Sequence, residues 1–418
     1  MIPPQARVVK TVRHRYGQCK HGCGDGNGEG EGEGEGEGAQ IVDAPMPQPA
    51  LPHSIATESA VANVITQKFQ FGLPLHRQQQ QWKMLGVDIS RQTMANWVIM
   101  ASLMWLILLY GRMRDFLLAG SIIKADESPL QVLREPGRPA TSKSYMWLFR
   151  TTPRAGPPMA LFEYKETRAA NVPRAFLKNY SGFLCVDGYS AYYSIPGVEA
   201  ASCWMHCRRG FADALKALPA NDRSKPCLAG EGLGFCDSLF KVERGLRHST
   251  DEERFAARLE KSVPLLAGFK SWLDANVSRT GPNTHIGRAI RYALNYWDTL
   301  NTFLKDGRLE IDNGASERSI KSFVIGRKGF LFANTPDGAK TSAISYSIVE
   351  TAKENHLKSF EYIKYVLETL PNIDTKDLSA LDALLPWSSS IPSQCRQNCA
   401  CANEPHPGVE QPADPVAV

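Results

Sequence analysis

An α/β fold is predicted by three observations. Four short apolar or β-rich runs cluster between residues 121 and 188, helical patterning dominates before and after them, and 418 residues at 43% hydrophobic and 22% charged suffice for a buried core divided over two or three domains. The formal net charge is +5, but the five glutamates of Gly28 to Gly38 mask part of the positive charge, which outside that run is +10. A moderately basic body fits a nucleic-acid partner and is equally compatible with an ordinary mixed surface.

Residues 1–25 are basic and contain Cys19 and Cys23, a Cys-x3-Cys knuckle that supplies half of a tetrahedral zinc site. His14 and His21 are the only neighbouring donors, and no second Cys pair follows within the next hundred residues, so a partial zinc site is expected and Zn2+ itself is doubtful. Residues 26–52 combine the Gly-Glu repeat with a Pro-rich stretch; neither buries surface nor propagates a helix, and a flexible linker is expected.

The 53–118 region reads as helical. Gly86 ends one helix, Ser90 N-caps the next, and Arg91, Gln92 and Asn96 project from a helix whose apolar side includes Met94 and Trp97. This predicts a helix-turn-helix in which Gln and Asn pair with adenine edges and Arg with guanine or phosphate. An ordinary helical hairpin with a wet polar face is the alternative. The most apolar run, Trp97 to Tyr110, has 14 residues, fewer than the roughly 20 of a membrane-spanning helix, and is read as a core helix. Charges from Arg7 onward and no signal-like apolar core predict a cytoplasmic protein, with its ten cysteines as free thiols or metal ligands.

Residues 119–209 carry the β-rich runs. Ser121 to Glu127 is a strand-like run stopping at two acids, Tyr145 to Arg150 and Met159 to Tyr164 follow across Pro/Gly turns, and Phe183 to Gly188 is a buried strand ending at Asp187, after a helix-like Ala169 to Lys178. Residues 210–308 are mainly helical. In 309–372 the run Asp312 to Arg318 starts a helix, capped by Asp312 or Asn313, with Glu317 one turn in. Carboxylates from two strands and a helix can chelate two divalent ions that act on a phosphodiester, and hard oxygens without His favour Mg2+ or Mn2+. Spacing alone leaves Glu127 and Asp312 as good as Asp126 and Glu317. Residues 373–418 close the chain with a disordered Cys/Pro-rich tail in which Cys395, Cys399 and Cys401 offer soft ligands.

The chain resembles transposases of the insertion sequence 66 family, members of the Asp-Asp-Glu superfamily. The resemblance rests on His76-Arg77-Gln78, Ala125-Asp126-Glu127, Val186-Asp187-Gly188-Tyr189, Cys203 to Arg209, Asp312 to Arg318, Gly326 to Phe332, Tyr346 to Lys353 and Leu384 to Trp387, in the family's order and over residues 53 to 387. It implies a ribonuclease-H-like catalytic core interrupted by a helical insertion at 210–308, preceded by a helical DNA-binding region and a partial zinc-ribbon remnant at an apparently truncated start. It also implies that Asp126, Asp187 and Glu317 are the catalytic, metal-binding triad. The Gly-Glu tract and the tail from Ser388 are additions to the family pattern.

The resemblance implies a DNA transposase that hydrolyses phosphodiesters at the ends of a bacterial insertion sequence and transfers the strand to target DNA. His206, Arg208 and Arg209 are expected to hold phosphate, as are Arg318, Lys321, Arg327, Lys328 and Lys340; packing or a solvated face are their plainer alternatives. Partners would be the terminal inverted repeats, target DNA, further copies of the chain and accessory proteins of the same element, in the cytoplasm at the nucleoid and not at a membrane. The rival from another class is an inactive remnant that only binds DNA. Trp147, Trp204 and Phe330 are read as core, not as base-stacking residues.

Overall fold

The structure, a computed structural model, describes residues 6–10, 12, 15–17, 41–43 and 46–397. Cys19, Cys23, His14, His21, the Gly-Glu tract, Cys399 and Cys401 lie outside these residues. Two short strands, β1 (Arg15–Gly17) and β2 (Ile41–Asp43), pair antiparallel.

Four helices precede the main sheet: α1 (Glu58–Phe69), α2 (Leu75–Met84), α3 (Arg91–Ala101) and α4 (Ile107–Ala119). Gly86, at φ +80°, turns the chain after α2, and the Ser90 hydroxyl accepts the Thr93 N–H to start α3. A π-helical turn at Ser102–Leu106 joins α3 to α4, so the helix runs on from Arg91 to Ala119. At 29 residues this is the one helix among those described that is long and apolar enough to cross a membrane by length and composition, which corrects the expectation drawn from the length of the 14-residue run. Met94, Val98, Ala101, Leu106, Leu109, Met113 and Leu117 are nonetheless buried in the main core, as a central core helix requires.

The main sheet has five strands: β3 (Ile122–Gln131), β4 (Lys143–Thr151), β5 (Ala160–Lys165), β6 (Gly182–Val186) and β7 (Val198–Ser202). Their order is β5-β4-β3-β6-β7; the first three form an antiparallel meander, and β6 and β7 lie parallel to β3. Unlike the expected acid-tipped strand, β3 runs five residues past Asp126, because Glu127 to Gln131 keep pairing with β4 down to Lys143. The sequence offered no strong signal for β7: Val198-Glu199-Ala200-Ala201-Ser202 has weak β-propensity, and burial beside β6 recruits it. Helix α5 (Asn171–Phe176) crosses over between β5 and β6.

After β7 comes a helical block of α6 (Trp204–Lys216), α7 (Leu228–Gly245), α8 (Asp251–Ala257), α9 (Val263–Val277), α10 (His285–Asn295) and α11 (Trp297–Leu300). It has its own core around Trp204, Phe211, Leu266, Phe269 and Ile290, separate from the cluster beneath the sheet. The boundary expected between 209 and 210 falls inside α6. Helices α12 (Gly314–Phe330), α13 (Pro336–Glu354), α14 (Ser359–Thr369) and α15 (Leu378–Asp382) complete the chain.

Helix α13 protects the outer edge of β5. The Thr351 and Ser347 hydroxyls accept the Ala160 and Phe162 N–H groups at 3.1 and 2.8 Å, so an edge that would otherwise template foreign strands is closed by side chains one helical turn apart. Order also extends further than expected at both ends. Ala50 and Leu51 are core residues in the stretch read as linker, held where Trp105 Nε1 donates to the Ala50 carbonyl at 2.7 Å. The tail expected from Ser388 stays packed to Gln397: Ile391 and Cys395 are buried, so Cys395 is a core thiol and not an exposed ligand.

Candidate active site

Strand register brings the first two carboxylates together. β3 and β6 pair in parallel with Lys124 opposite Cys185; two residues further on come Asp126, still within β3, and Asp187, the first residue past β6. Glu317 arrives from the first turn of α12, which packs over β3. Burial, then the charges of Glu127, Asp187 and Glu317, push the Asp126 carboxyl up to about 7. That shift records three acids from three elements within electrostatic reach.

Each is meanwhile held by its own neighbourhood. Asp126 Oδ1 accepts the Glu127 N–H and Asp187 Oδ1 the Tyr189 N–H, both at 2.8 Å. Glu317 Oε1 lies 3.5 Å from Arg209 and 4.0 Å from His206 Nε2, both on α6. Among the described residues no three His, Cys, Asp or Glu side chains stand close enough together to hold a metal ion.

The acids left as alternatives are engaged elsewhere. Glu127, adjacent on β3 and so on the opposite face, is paired with Arg168 and accepts the Tyr192 hydroxyl, with its side chain almost fully covered. Burial leaves its carboxyl above the ordinary value even so. Asp312 turns back on its own helix, accepting the Gly314 N–H at 2.7 Å; Asn313, the other expected cap, makes no side-chain capping bond.

Supporting residues that carried no prominent motif in the sequence hold α12 in place. Lys124, fully buried and on the same face of β3 as Asp126, pairs with Glu310 and donates to the Asp312 carbonyl at 2.8 Å. Arg150, its cross-strand partner on β4, grips Glu354 through two bonds of 2.9 and 3.0 Å and donates to the Ala315 carbonyl at 3.1 Å and to Ser319. Asn313 Nδ2 donates to the Ala125 carbonyl at 2.8 Å. The available signal was a lysine inside an apolar strand, two residues before the acid and therefore on its face. Gly188 has a packing reason: a Cβ there would lie 3.0 Å from the Tyr292 ring, while its carbonyl accepts the Tyr296 hydroxyl at 2.8 Å. The helical block thus rests directly on the Asp187 turn.

The expected DNA contacts divide. Burial lowers the His206 imidazole below its usual value, assisted by Arg209 and opposed by Asp187 and Glu317. Arg208 points to Asp237 on α7, 2.6 Å away, and not toward Glu317. Arg318 lines a crevice with Glu310, Glu350 and Glu354. Lys321 and Lys328 are exposed, and at four and eleven residues from Glu317 they continue its stripe along α12; Arg327 reaches Ser128 Oγ at 3.4 Å. Arg91, Gln92 and Asn96 are exposed on α3, with Gln92 donating to Asn96 at 3.0 Å. Lys340 is exposed on α13 beside Tyr164 and Ile344. Cys203 and Cys207 are buried thiols raised above the usual value, Cys203 by burial and Cys207 by its neighbour Cys236 and by burial. Trp147 and Trp204 are core residues, and Phe330 is partly buried beneath Lys68.

A family model described as Transposase IS66 family matches residues 53–341, and one described as IS66 C-terminal element matches residues 347–387. Relatives in Sinorhizobium fredii (strain NBRC 101917 / NGR234) include the uncharacterized protein y4jD, 29% identical over 403 residues that make up 93% of this chain and 74% of the relative. The uncharacterized protein y4qI is 29% identical over 404 residues, 93% of this chain and 70% of the relative.

Proposed function

We propose, from the premise that the chain belongs to the IS66 transposase family, that it is a DNA transposase carrying out metal-dependent phosphodiester hydrolysis and strand transfer at the ends of an insertion sequence. The observation that carries this reading is that the charges of Asp187, just past the adjacent strand, and of Glu317, in the first turn of a helix, both act on Asp126 in the central strand. A meander of three strands followed by two parallel ones supports assigning the core to the ribonuclease-H-like class.

The donor set fits Mg2+ or Mn2+: three hard carboxylates, no thiol or imidazole among them, and a repulsion that a cation relieves. Asp126, Asp187 and Glu317 would hold such an ion, which when bound would supply Lewis-acid activation of a water or 3′-hydroxyl. The chain's own groups do the positioning. Arg209 and His206 flank Glu317 and are placed to hold a phosphate beside it; Lys124 and Arg150 fix the helix that carries it. Exposed Arg91, Gln92 and Asn96 on α3, after the Gly86 turn, are the sequence-reading surface, and Lys321 and Lys328 the backbone-holding one. Two element ends have to be held together, so the working form is taken to be an oligomer on DNA.

The test is a nicking and joining assay on duplexes carrying the DNA that flanks the gene, in Mg2+ or Mn2+, comparing the wild-type chain with Asp187→Ala. Nicking and joining by the wild type alone is expected. Binding without nicking in either metal would overturn the enzymatic reading in favour of a DNA-binding protein, and cutting without joining would favour a nuclease.

A further inference from the structure

The turn that ends α12 is strained, apolar and surrounded by cations. Leu331 sits at φ +65°, ψ −50°, and the Phe332 N–H bonds back to the Phe330 carbonyl at 2.8 Å, which makes Leu331 the centre of a γ-turn. A branched side chain at positive φ is unfavourable and persists only where the surroundings over-determine it. Here they do: Leu331 N–H bonds to the Arg327 carbonyl at 2.6 Å, Ala333 N–H to the Gln131 carbonyl at 3.0 Å, and the Leu133 and Arg134 N–H groups to the Ala333 and Asn334 carbonyls at 3.0 Å each. The face held out by this clamp is apolar. Leu331 is 64% exposed and Phe332 41% exposed.

Beside that tip lie Arg327 and Lys328 on α12 and Arg134, three residues past β3, with Lys321 about 15 Å back along the helix toward Glu317, and none of the four makes an ion pair among the described residues. Favourable interaction with the C-terminal end of the helix dipole accounts for Arg327 and Lys328, but not for the exposed apolar pair held between them. Unneutralised cations around a rigid apolar projection complement a duplex, whose phosphates take the charges and whose base stack takes the wedge.

We propose that Leu331 and Phe332 form a wedge that enters the base stack of duplex DNA held by the α12 cations; this rests on the DNA-binding part of the function proposed above. Phe330 lies thirteen positions beyond Glu317 on α12, roughly 20 Å of helix. For a duplex lying along α12, the wedge meets it roughly six base-pair steps from the phosphate at the carboxylates, at about 3.4 Å per step.

The test uses the full chain with duplexes from the DNA flanking the gene, in Ca2+, carrying 2-aminopurine at successive positions inward from the end. The wild type is expected to raise the fluorescence of the probe near the sixth step, as unstacking does. Leu331→Gly, which keeps the positive φ, and Phe332→Ala are expected to abolish that rise and weaken binding roughly ten- to hundredfold. Lys328→Ala is expected to lower the salt dependence of binding while leaving the rise at saturating protein. Absence of a rise in the wild type, an unchanged rise in both wedge variants, or variants that alter self-association and leave DNA unstacking intact would each overturn the wedge. Nicking is measured in parallel in Mn2+. A wild type that nicks without unstacking refutes the wedge and leaves the transposase reading standing, whereas one that unstacks but never nicks refutes the catalytic reading and supports the wedge.

Discussion

Asp126 shows how much the surroundings decide about one side chain. Its carboxyl is raised from 3.8 to about 7 by burial and neighbouring acids, so the folded state holds the proton more tightly than the unfolded chain. The stability tied to that proton is fully present below the unfolded value and is lost as pH rises from 3.8 to about 7. Asp126→Asn should thus be more stable than wild type at about pH 8 in chelator, by roughly 1–3 kcal/mol, with the advantage gone near pH 4; thermal unfolding at both pH values measures this. The same variant should lose metal-dependent nicking by roughly a thousandfold or more. Lys124 obeys the opposite logic. Lys124→Met leaves Glu310 and the Asp312 carbonyl without their buried donor, and denaturant unfolding should show a loss of about 3 kcal/mol. A loss below about 0.5 kcal/mol would mean that water replaces the lysine.

At the scale of elements, α12 and α13 are positioned by strand side chains, not by apolar packing alone. Arg150 reaches the Ala315 carbonyl in the first turn of α12 and Glu354 at the end of α13, so Arg150→Ala should loosen both helices at once. Amide exchange in 314–320 is expected to accelerate while the rest of the sheet keeps its protection. The cap on β5 makes a separate prediction. Ser347→Ala with Thr351→Val should cost about 1 kcal/mol per lost bond, deprotect the Ala160 and Phe162 amides, and raise the tendency to aggregate through that edge. Much of this level was legible: helix α3 with its Ser90 cap and the four β-rich runs follow from periodicity and capping residues. The extension of β3 past Asp126, the strand β7 and the π-helical join of α3 to α4 were not, because partner strands and helices supply what the local sequence lacks.

At the scale of the whole molecule, two cores meet around the candidate acids. The sheet's cluster carries Asp126 and Asp187, while the helical block carries His206 and Arg209 to Glu317 and seats Tyr292 and Tyr296 on the Asp187 turn. Gly188→Val would drive a side chain into the Tyr292 ring, and it is expected to lower both stability and nicking, by scanning calorimetry and the DNA assay respectively. The sequence by itself determined the α/β class of the fold, the Ser90-capped helix after the Gly86 turn and, through its motifs, the family, since periodicity, caps and short signatures are local properties. How each of the neighbouring acids is engaged was decided only in the tertiary structure. Parallel pairing of β3 with β6 brings the turn of Asp187 beside the strand of Asp126, alternation along β3 turns Glu127 to Arg168 and Tyr192 on the other face, and a buried lysine and arginine hold the start of the helix of Glu317, all of them long-range relations that no local window contains.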